Sequence, residues 1–327
     1  MRETIQEHKK RLAQIYRRLH PPLKTRFEDE VEKYWGREWK ANTEIGRLRM
    51  VLLHRPGEEI NSIQPPLERW RYTEKPDLGE MVDDYERLAK VFREEGVEVL
   101  DRRPETNRPP RLVKSIYTRD PSFAAVRGTI VGRMYDALRR GEELFTYQTY
   151  AGIGCPVVGI VHGKGVIEGG SVMWLDEKHL AIGLSFRVNE EGARQVAEIV
   201  KAQDPEVDVK AVPIMGGHID AHICMVDKHK AVVNRDALPY SFTEYLKEEL
   251  RMEIIDRPQD VYVDGVAIKP GRVVSSDGVG WEEGRRLMER AGVDVIPVRV
   301  DTLVHPRNSG SIHCLTMPII REPEPQS

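Results

Sequence analysis

The sequence predicts an α/β fold assembled from a repeated hairpin–helix–strand unit, with a helical extension at the N-terminus. Three observations lead there. Helical segments end in glycine and run into short apolar strands, as in Phe92-Arg-Glu-Glu-Gly-Val-Glu-Val-Leu100 and again in Met288-Glu-Arg-Ala-Gly-Val-Asp-Val-Ile296. Between such segments lie pairs of short β-prone runs joined by turn residues. Four motifs carrying acids, a histidine or a thiol fall at the mouths of the hairpins: Tyr117-Thr-Arg-Asp120, Ile167-Glu-Gly-Gly170, His218-Ile-Asp220 and Gly310-Ser-Ile-His-Cys314.

Residues from Glu3 to Tyr34 read as helical. Ile5, Leu12, Ile15, Tyr16 and Leu19 repeat on a helical period, and Pro21-Pro22 breaks the run before a second helix around Phe27 to Trp35. Residues 1–41 are the expected extension and 42–327 the expected main domain, built from the repeated unit. The first strand, Met50 to His54, stops at Pro56-Gly57. Hairpins are expected for Ser122–Val126 with Thr129–Val131, Val172–Leu175 with Leu180–Ile182, Ile223–Val226 with Ala231–Val233, and Val266–Ile268 with Val273–Val274. The strands that close each unit, around Val99, Val157, Val209, Ile254 and Val295, recur roughly every 40 to 60 residues, the period range of propeller-like and solenoid arrays. Five units closed into a ring would gather the loops at one end of every unit around a common axis. A doubly wound open sheet is the competing arrangement on pattern alone.

The 327 residues suffice for a large core, as one big domain or two ordinary ones. With 31% charged residues and a formal net charge of −3, no nucleic acid or anionic membrane partner is expected. No apolar run approaches a membrane span, and the N-terminus lacks the apolar segment of a signal peptide. Cys155, Cys224 and Cys314 are too few and too scattered for a disulfide framework or a Cys-x-x-Cys zinc site, so a cytoplasmic setting is the default. A homo-oligomer is compatible with the sequence.

Cys314 fits a core position in the apolar run Ile312 to Ile320, but it follows Asn308-Ser-Gly-Ser311, small residues that let backbone approach a ligand closely. A lone cysteine with a histidine elsewhere in the chain is also the outline of a thiol nucleophile. Cys155 and Cys224 lack that context. His218 follows Gly216-Gly217 and precedes Asp220 by two residues, so in extended backbone both side chains reach one face, with His222 a weaker third candidate. Asp120, between Arg119 and Pro121, fits a structural turn equally well, and so does Glu168 ahead of Gly169-Gly170. Carboxylates gathered at one point raise each other's pKa unless a cation lies between them.

These motifs, in this order, resemble those of the guanidino-group-modifying enzymes: arginine deiminases, dimethylarginine dimethylaminohydrolases and amidinotransferases. The similarity spans Asn42 to Glu322; the run Glu44 to Gly57 looks like the opening strand of arginine deiminases, and Ala181 to Arg187 looks like the segment after their Glu-Gly-Gly motif. The resemblance implies a five-bladed α/β propeller of ββαβ units. It implies Cys314 as nucleophile, His218 as general acid/base, and Asp120, Glu168 and Asp220 as the carboxylates that grip a small-molecule guanidino substrate. Arg187 and Arg139 match positions that bind a substrate carboxylate, and Gly310 a backbone contact beside the nucleophile. No metal or other cofactor is required. Deimination through a covalent amidino-cysteine, giving a ureido product and ammonia, is the expected reaction. Amidino transfer to an amine is the alternative; dimethylarginine hydrolysis and a non-catalytic binding propeller rank behind it.

Asp220 and Glu168-Gly169-Gly170 favour the deiminase side. Other positions depart from it. Little space remains between Arg103 and Tyr117 for the helical insertion of bacterial arginine deiminases, and Ser171 stands where they often have aspartate. Lys114 stands where deiminases have asparagine and dimethylarginine hydrolases aspartate, at a position linked to recognising the amino-acid end. A cation there disfavours a free α-ammonium, which points to arginine or a guanidino acid with a blocked or absent α-amine.

Overall fold

The computed structural model describes residues 3–20, 23–102 and 112–322; the Pro21-Pro22 break and the start of the Arg103–Tyr117 segment lie outside them. Two helices, α1 (Ile5–Leu19) and α2 (Phe27–Trp35), come first. Thr4 opens α1 with a reciprocal cap: its hydroxyl accepts from the Glu7 N–H while the Glu7 carboxylate accepts from the Thr4 N–H. No residue of α1 is buried, whereas Val31, Trp39 and Ala41 belong to the main core.

From there one unit repeats. Its first copy holds β1 (Arg47–Leu53), α3 (Leu78–Glu94) and β2 (Glu98–Asp101), and its second β3 (Ser122–Ala124), β4 (Thr129–Val131), α4 (Glu142–Ile153) and β5 (Val157–Ile160). The third holds β6 (Val172–Asp176), β7 (His179–Leu184), α5 (Glu190–Gln203) and β8 (Asp208–Pro213), and the fourth β9 (Ile223–Asp227), β10 (Lys230–Val233), α6 (Tyr240–Glu244) and β11 (Glu253–Asp256). The fifth holds β12 (Val266–Lys269), β13 (Arg272–Ser276), α7 (Glu282–Arg290) and β14 (Asp294–Val298), before a last helix α8 (Ile312–Leu315) and strand β15 (Met317–Glu322). Each copy makes a three-stranded sheet whose middle strand is antiparallel to the first and parallel to the third.

Helix-to-strand turns follow from the glycines noted in the sequence. Gly96 and Gly292 take φ of +76° and +81°, in the left-handed region, and the next residue's N–H then reaches back into the helix, Val97 to Phe92 O at 2.9 Å and Val293 to Met288 O at 3.1 Å. The chain leaves each helix pointed along the third strand.

The first sheet joins the two ends of the repeated region. β15 lies antiparallel to β1, with Arg47 opposite Glu322 and Leu52 opposite Met317. This fifth hairpin is absent from the sequence reading because its strands are not neighbours in the chain. Bonds between consecutive sheets close the ring. Thr118 Oγ1 donates to Leu52 O at 2.8 Å, Trp174 Nε1 to Ala124 O at 2.9 Å, Ser171 Oγ to Gly217 O at 3.1 Å, Gly271 N to Val226 O at 3.0 Å and Arg321 Nη1 to Ala267 O at 2.7 Å. The architecture is a five-bladed α/β propeller. Inner strands are covered on both faces, with Met50, Val51, Leu52 and Leu53 all buried, while outer strands such as β2 and β11 are half-exposed. Among the described residues no helix is long and apolar enough to cross a membrane.

Candidate active site

Five loops precede the inner strands at one end of the ring, and each carries a reactive or acidic side chain: Asp120 before β3, Glu168 before β6, Asp220 before β9, Asp264 before β12 and Cys314 before β15. Asp120, His218, Asp220 and Cys314 line one cavity of about 570 Å³, together with Arg187, Gly310 and Lys114. Glu168 lies behind His218, fully buried.

Glycines make the convergence possible. A Cβ on Gly169 would stand 2.2 Å from Arg119 O, and one on Gly170 would stand 2.6 Å from His218 Nδ1 and 3.0 Å from Asp120 Oδ1. The Glu-Gly-Gly sequence thus lets three loops touch. Gly169 N–H donates to Asp120 O at 2.6 Å. At Gly310 a Cβ would run into the Tyr117 ring, so only glycine lets the loop ahead of Cys314 approach that ring.

His218 Nε2 is 2.8 Å from Glu168 Oε2, and its Nδ1 is 3.7 Å from Asp120 Oδ1. Burial opposes the imidazolium more than any single influence, but Asp120, Glu168 and Asp220 together outweigh it and raise the His218 pKa. Glu168 is held well below the usual carboxylate range: burial pushes it up, and His218, Arg187 and Arg139 more than reverse this. Arg187 Nη1 reaches Glu168 Oε2 at 2.7 Å. The Cys314 thiol is pushed up, first by burial and then by Asp220 and Asp120, which favours its protonated form. Asp120 Oδ1 is buried with no hydrogen-bond partner and forms an open acceptor beside His218.

Arg139 is placed otherwise than the sequence reading expects. Its Nε and Nη2 bind Glu142 at 2.9 and 2.8 Å, Nη2 also donates to Tyr117 O at 2.9 Å, and Nη1 binds Asp120. Deep burial and these partners make it a brace for Asp120 rather than a free receptor for a carboxylate. Lys114 is also altered by its setting. Its Nζ donates to Arg71 O at 2.8 Å and to Asn308 Oδ1, and lies 3.6 Å from the Tyr72 ring centre. Burial, reinforced by Arg139 and Arg71, pushes its pKa down to about 6, so it is a weaker cation than its residue type suggests.

Further residues support the site. His313 bridges Asp220 and Glu44, with Nδ1 2.9 Å from Asp220 Oδ2 and Nε2 3.3 Å from Glu44 Oε2; Arg119 Nη1 holds the other Glu44 oxygen at 3.0 Å. Asp264 accepts the Ile312 N–H at 2.5 Å, at the start of the short helix that carries Cys314, and is held there by Ser275 and Ser276. The signal for Asp264 was its place just before a hairpin, equivalent to Asp120. Glu44 and His313 carried none. Ser311 caps the same helix, its Oγ 3.5 Å from both the Cys314 N and Sγ. Cys155 and Cys224 lie in the core, away from the cavity. His222 reaches the cavity wall, with Nε2 on Met215 O at 2.5 Å. Among the described residues no group of three or more His, Cys, Asp or Glu side chains is arranged to hold a metal ion.

The cavity therefore offers acids for a flat cation, a thiol able to attack it and an imidazole able to move a proton. The family model for arginine deiminase matches residues 110–262. The arginine deiminase of Listeria monocytogenes serotype 4b is 23% identical over 401 residues, covering 86% of this chain and 97% of that protein. In fold, the chain is similar to DDAH from Pseudomonas aeruginosa, solved as a cysteine-to-serine mutant complexed with citrulline, with TM-score 0.66, 19% identity, and coverage of 83% of this chain and 99% of that one. It is likewise similar to the N-terminal domain of ArgZ, an arginine dihydrolase from cyanobacteria solved with bound product, with TM-score 0.68, 15% identity, and coverage of 83% and 97%.

Proposed function

Because the chain belongs to the guanidino-group-modifying superfamily, we propose that it is a cysteine-dependent hydrolase acting on the guanidino group of arginine or a related guanidino acid. The observation that carries this reading is the opening of Cys314, His218, Asp120 and Asp220 onto one cavity.

The planar guanidinium slides between Asp120 and Asp220, whose oxygens take its N–H groups in charge-assisted pairs. Its positive charge offsets the two aspartates that keep the Cys314 thiol protonated, so substrate itself promotes the thiolate. Sulfur attacks the guanidinium carbon, forming an S–C bond and a tetrahedral adduct. His218, as imidazolium, protonates one nitrogen; the C–N bond breaks and ammonia leaves, with an amidino group on sulfur. His218, now neutral, takes one proton from water as its oxygen adds to the same carbon; the S–C bond then breaks, the remaining hydroxyl proton passes to the departed ammonia through solvent, and the ureido product and the thiolate are released. Glu168 orients His218 and sustains its charged form. Arg187 leaves Glu168 to meet the substrate carboxylate, and the backbone at Gly310 faces the substrate beside sulfur. The family-model match and the neighbours solved with citrulline or arginine-derived product support this assignment.

Intact-protein mass spectrometry after rapid mixing with candidate guanidino compounds tests it. The expected result is a transient mass increase on Cys314 and a ureido product, with both lost in Cys314→Ser. An amidinated amine in place of the ureido product would make the protein a transferase.

A further inference from the structure

The cavity is larger than an amino acid fills, and its volume lies in the range of sites for drug-sized ligands. Among the described residues that line it, the carboxylates are Asp120 and Asp220, both at the Cys314 end. Elsewhere the charged wall is cationic. Arg71 is paired with Asp136 at 2.7 Å, Arg187 with Glu168 at 2.7 Å and Arg139 with Asp120 and Glu142; Lys114 is taken up by Arg71 O and Asn308, and Arg257 has no carboxylate partner among the described residues.

Arg257 belongs to a cluster at one end of the fourth blade. Its N–H donates to Val233 O at 2.9 Å, and the neighbouring Asn234 N–H donates to His222 O at 2.8 Å. The Arg257 guanidinium spans the loop through Val261 O and Ala221 O, while its Nε is buried without a partner. Asn234 is 5% exposed, lines the cavity and has a buried Oδ1 without a partner. His222 directs its Nε2 hydrogen to Met215 O, which leaves the buried, unpartnered Nδ1 as an acceptor. Unsatisfied buried polar atoms are costly, and three of them together on a cavity wall mark a place for a ligand.

We infer that the fourth blade forms a second subsite, and that the substrate is a guanidino acid whose α-nitrogen is acylated by a dicarboxylic acid. The terminal carboxylate meets Arg257, and the acyl amide N–H meets Asn234 Oδ1 or His222 Nδ1. Acylation also removes the α-ammonium, for which the described wall away from Cys314 supplies no carboxylate. The inference rests on the guanidino-hydrolase reading and specifies its substrate.

The test is kcat/KM of the full chain for arginine, Nα-acetylarginine, and the Nα-malonyl, succinyl and glutaryl derivatives. At least one acidic acyl derivative is expected to exceed the acetyl compound tenfold or more, chiefly through KM, and the acetyl compound to exceed arginine. Arg257→Gln should collapse the acidic-to-acetyl ratio at least tenfold, and Arg257→Lys should restore part of it. Free arginine turning over as well as the acylated compounds, or a ratio unchanged in Arg257→Gln, would overturn the subsite. If Arg257→Gln does not fold, the wild-type ranking decides alone. A different result, no ureido product and no Cys314 adduct from any guanidino compound, would remove the hydrolase reading and this inference with it.

Discussion

His313 Nδ1 lies 2.9 Å from Asp220 Oδ2, so the residue beside the thiol fixes an acid of the guanidinium site. Its other nitrogen faces Glu44. Both carboxylates are held below their usual range: burial raises each, but Arg119 and then His313 overcome it at Glu44, and His313, with His218 and Arg119, at Asp220. Two ionised acids need a proton on each ring nitrogen, and the His313 pKa is raised accordingly, against burial and Arg119. His313→Leu should therefore cost about 3–5 kcal/mol in urea unfolding, as expected when a buried charge loses its partner, and should raise KM for the guanidino substrate. An unchanged unfolding midpoint together with an unchanged KM would contradict the bridge.

Asp264 reaches Ile312 N across 48 residues of chain, and through it positions the helix that presents Cys314. Replacing Asp264 by alanine leaves that N–H without its acceptor and frees the thiol to drift. A displacement of about 1 Å at a reacting atom can cost on the order of 100-fold in rate. The expected outcome is a fall of that size in kcat, with KM little changed and Cys314 still present by mass. A parallel loss of binding would place the role of Asp264 elsewhere.

What could be read from the chain follows from how local each signal is. Asp120, Glu168, His218, Asp220 and Cys314 each sit beside small or turn residues just ahead of a strand, so a few neighbouring letters mark them. The repeat itself is partly written in the glycines after three of the five helices, Gly96, Gly154 and Gly292, whereas α5 ends at Asp204 and the fourth unit's helix at Leu250. The partnership of Glu44 with His313 spans 269 positions and that of β1 with β15 joins the ends of the repeated region, so neither leaves a local trace. Arg139 and Lys114 illustrate a different limit. Residue type gives a formal charge, whereas burial and neighbours decide whether that charge is spent on an internal pair or suppressed.

The Cys314 thiol is raised by burial and by Asp220 and Asp120, so the empty enzyme should react slowly with alkylating reagents at neutral pH. An ordinary thiol ionises near pH 8.5. Peptide-mapped labelling of Cys314 by iodoacetamide should keep increasing beyond about pH 9, above that ordinary value. A plateau below about pH 8 would mean that the free site already stabilises thiolate and that substrate is not needed for activation.

Lys114 provides a pH signature of the cavity wall. Burial, with Arg139 and Arg71, places its folded pKa at about 6, whereas an unfolded lysine keeps its proton to about pH 10.4. Between those values the unfolded chain binds the extra proton, so the stability set by this position rises with pH; the full cost of burying the charge is present below the folded value. Lys114→Met should accordingly be more stable than the parent at about pH 6, by an amount on the order of 1.4 kcal/mol per unit of pKa shift before relaxation, with the gap closing toward about pH 10. Binding of an anionic guanidino acid restores the proton to Lys114, so KM should rise between about pH 6 and pH 8, by at most about tenfold per unit. In Lys114→Met that slope should flatten. A slope equal in both proteins would assign the titration to another group and leave Lys114 a structural residue beneath Tyr72.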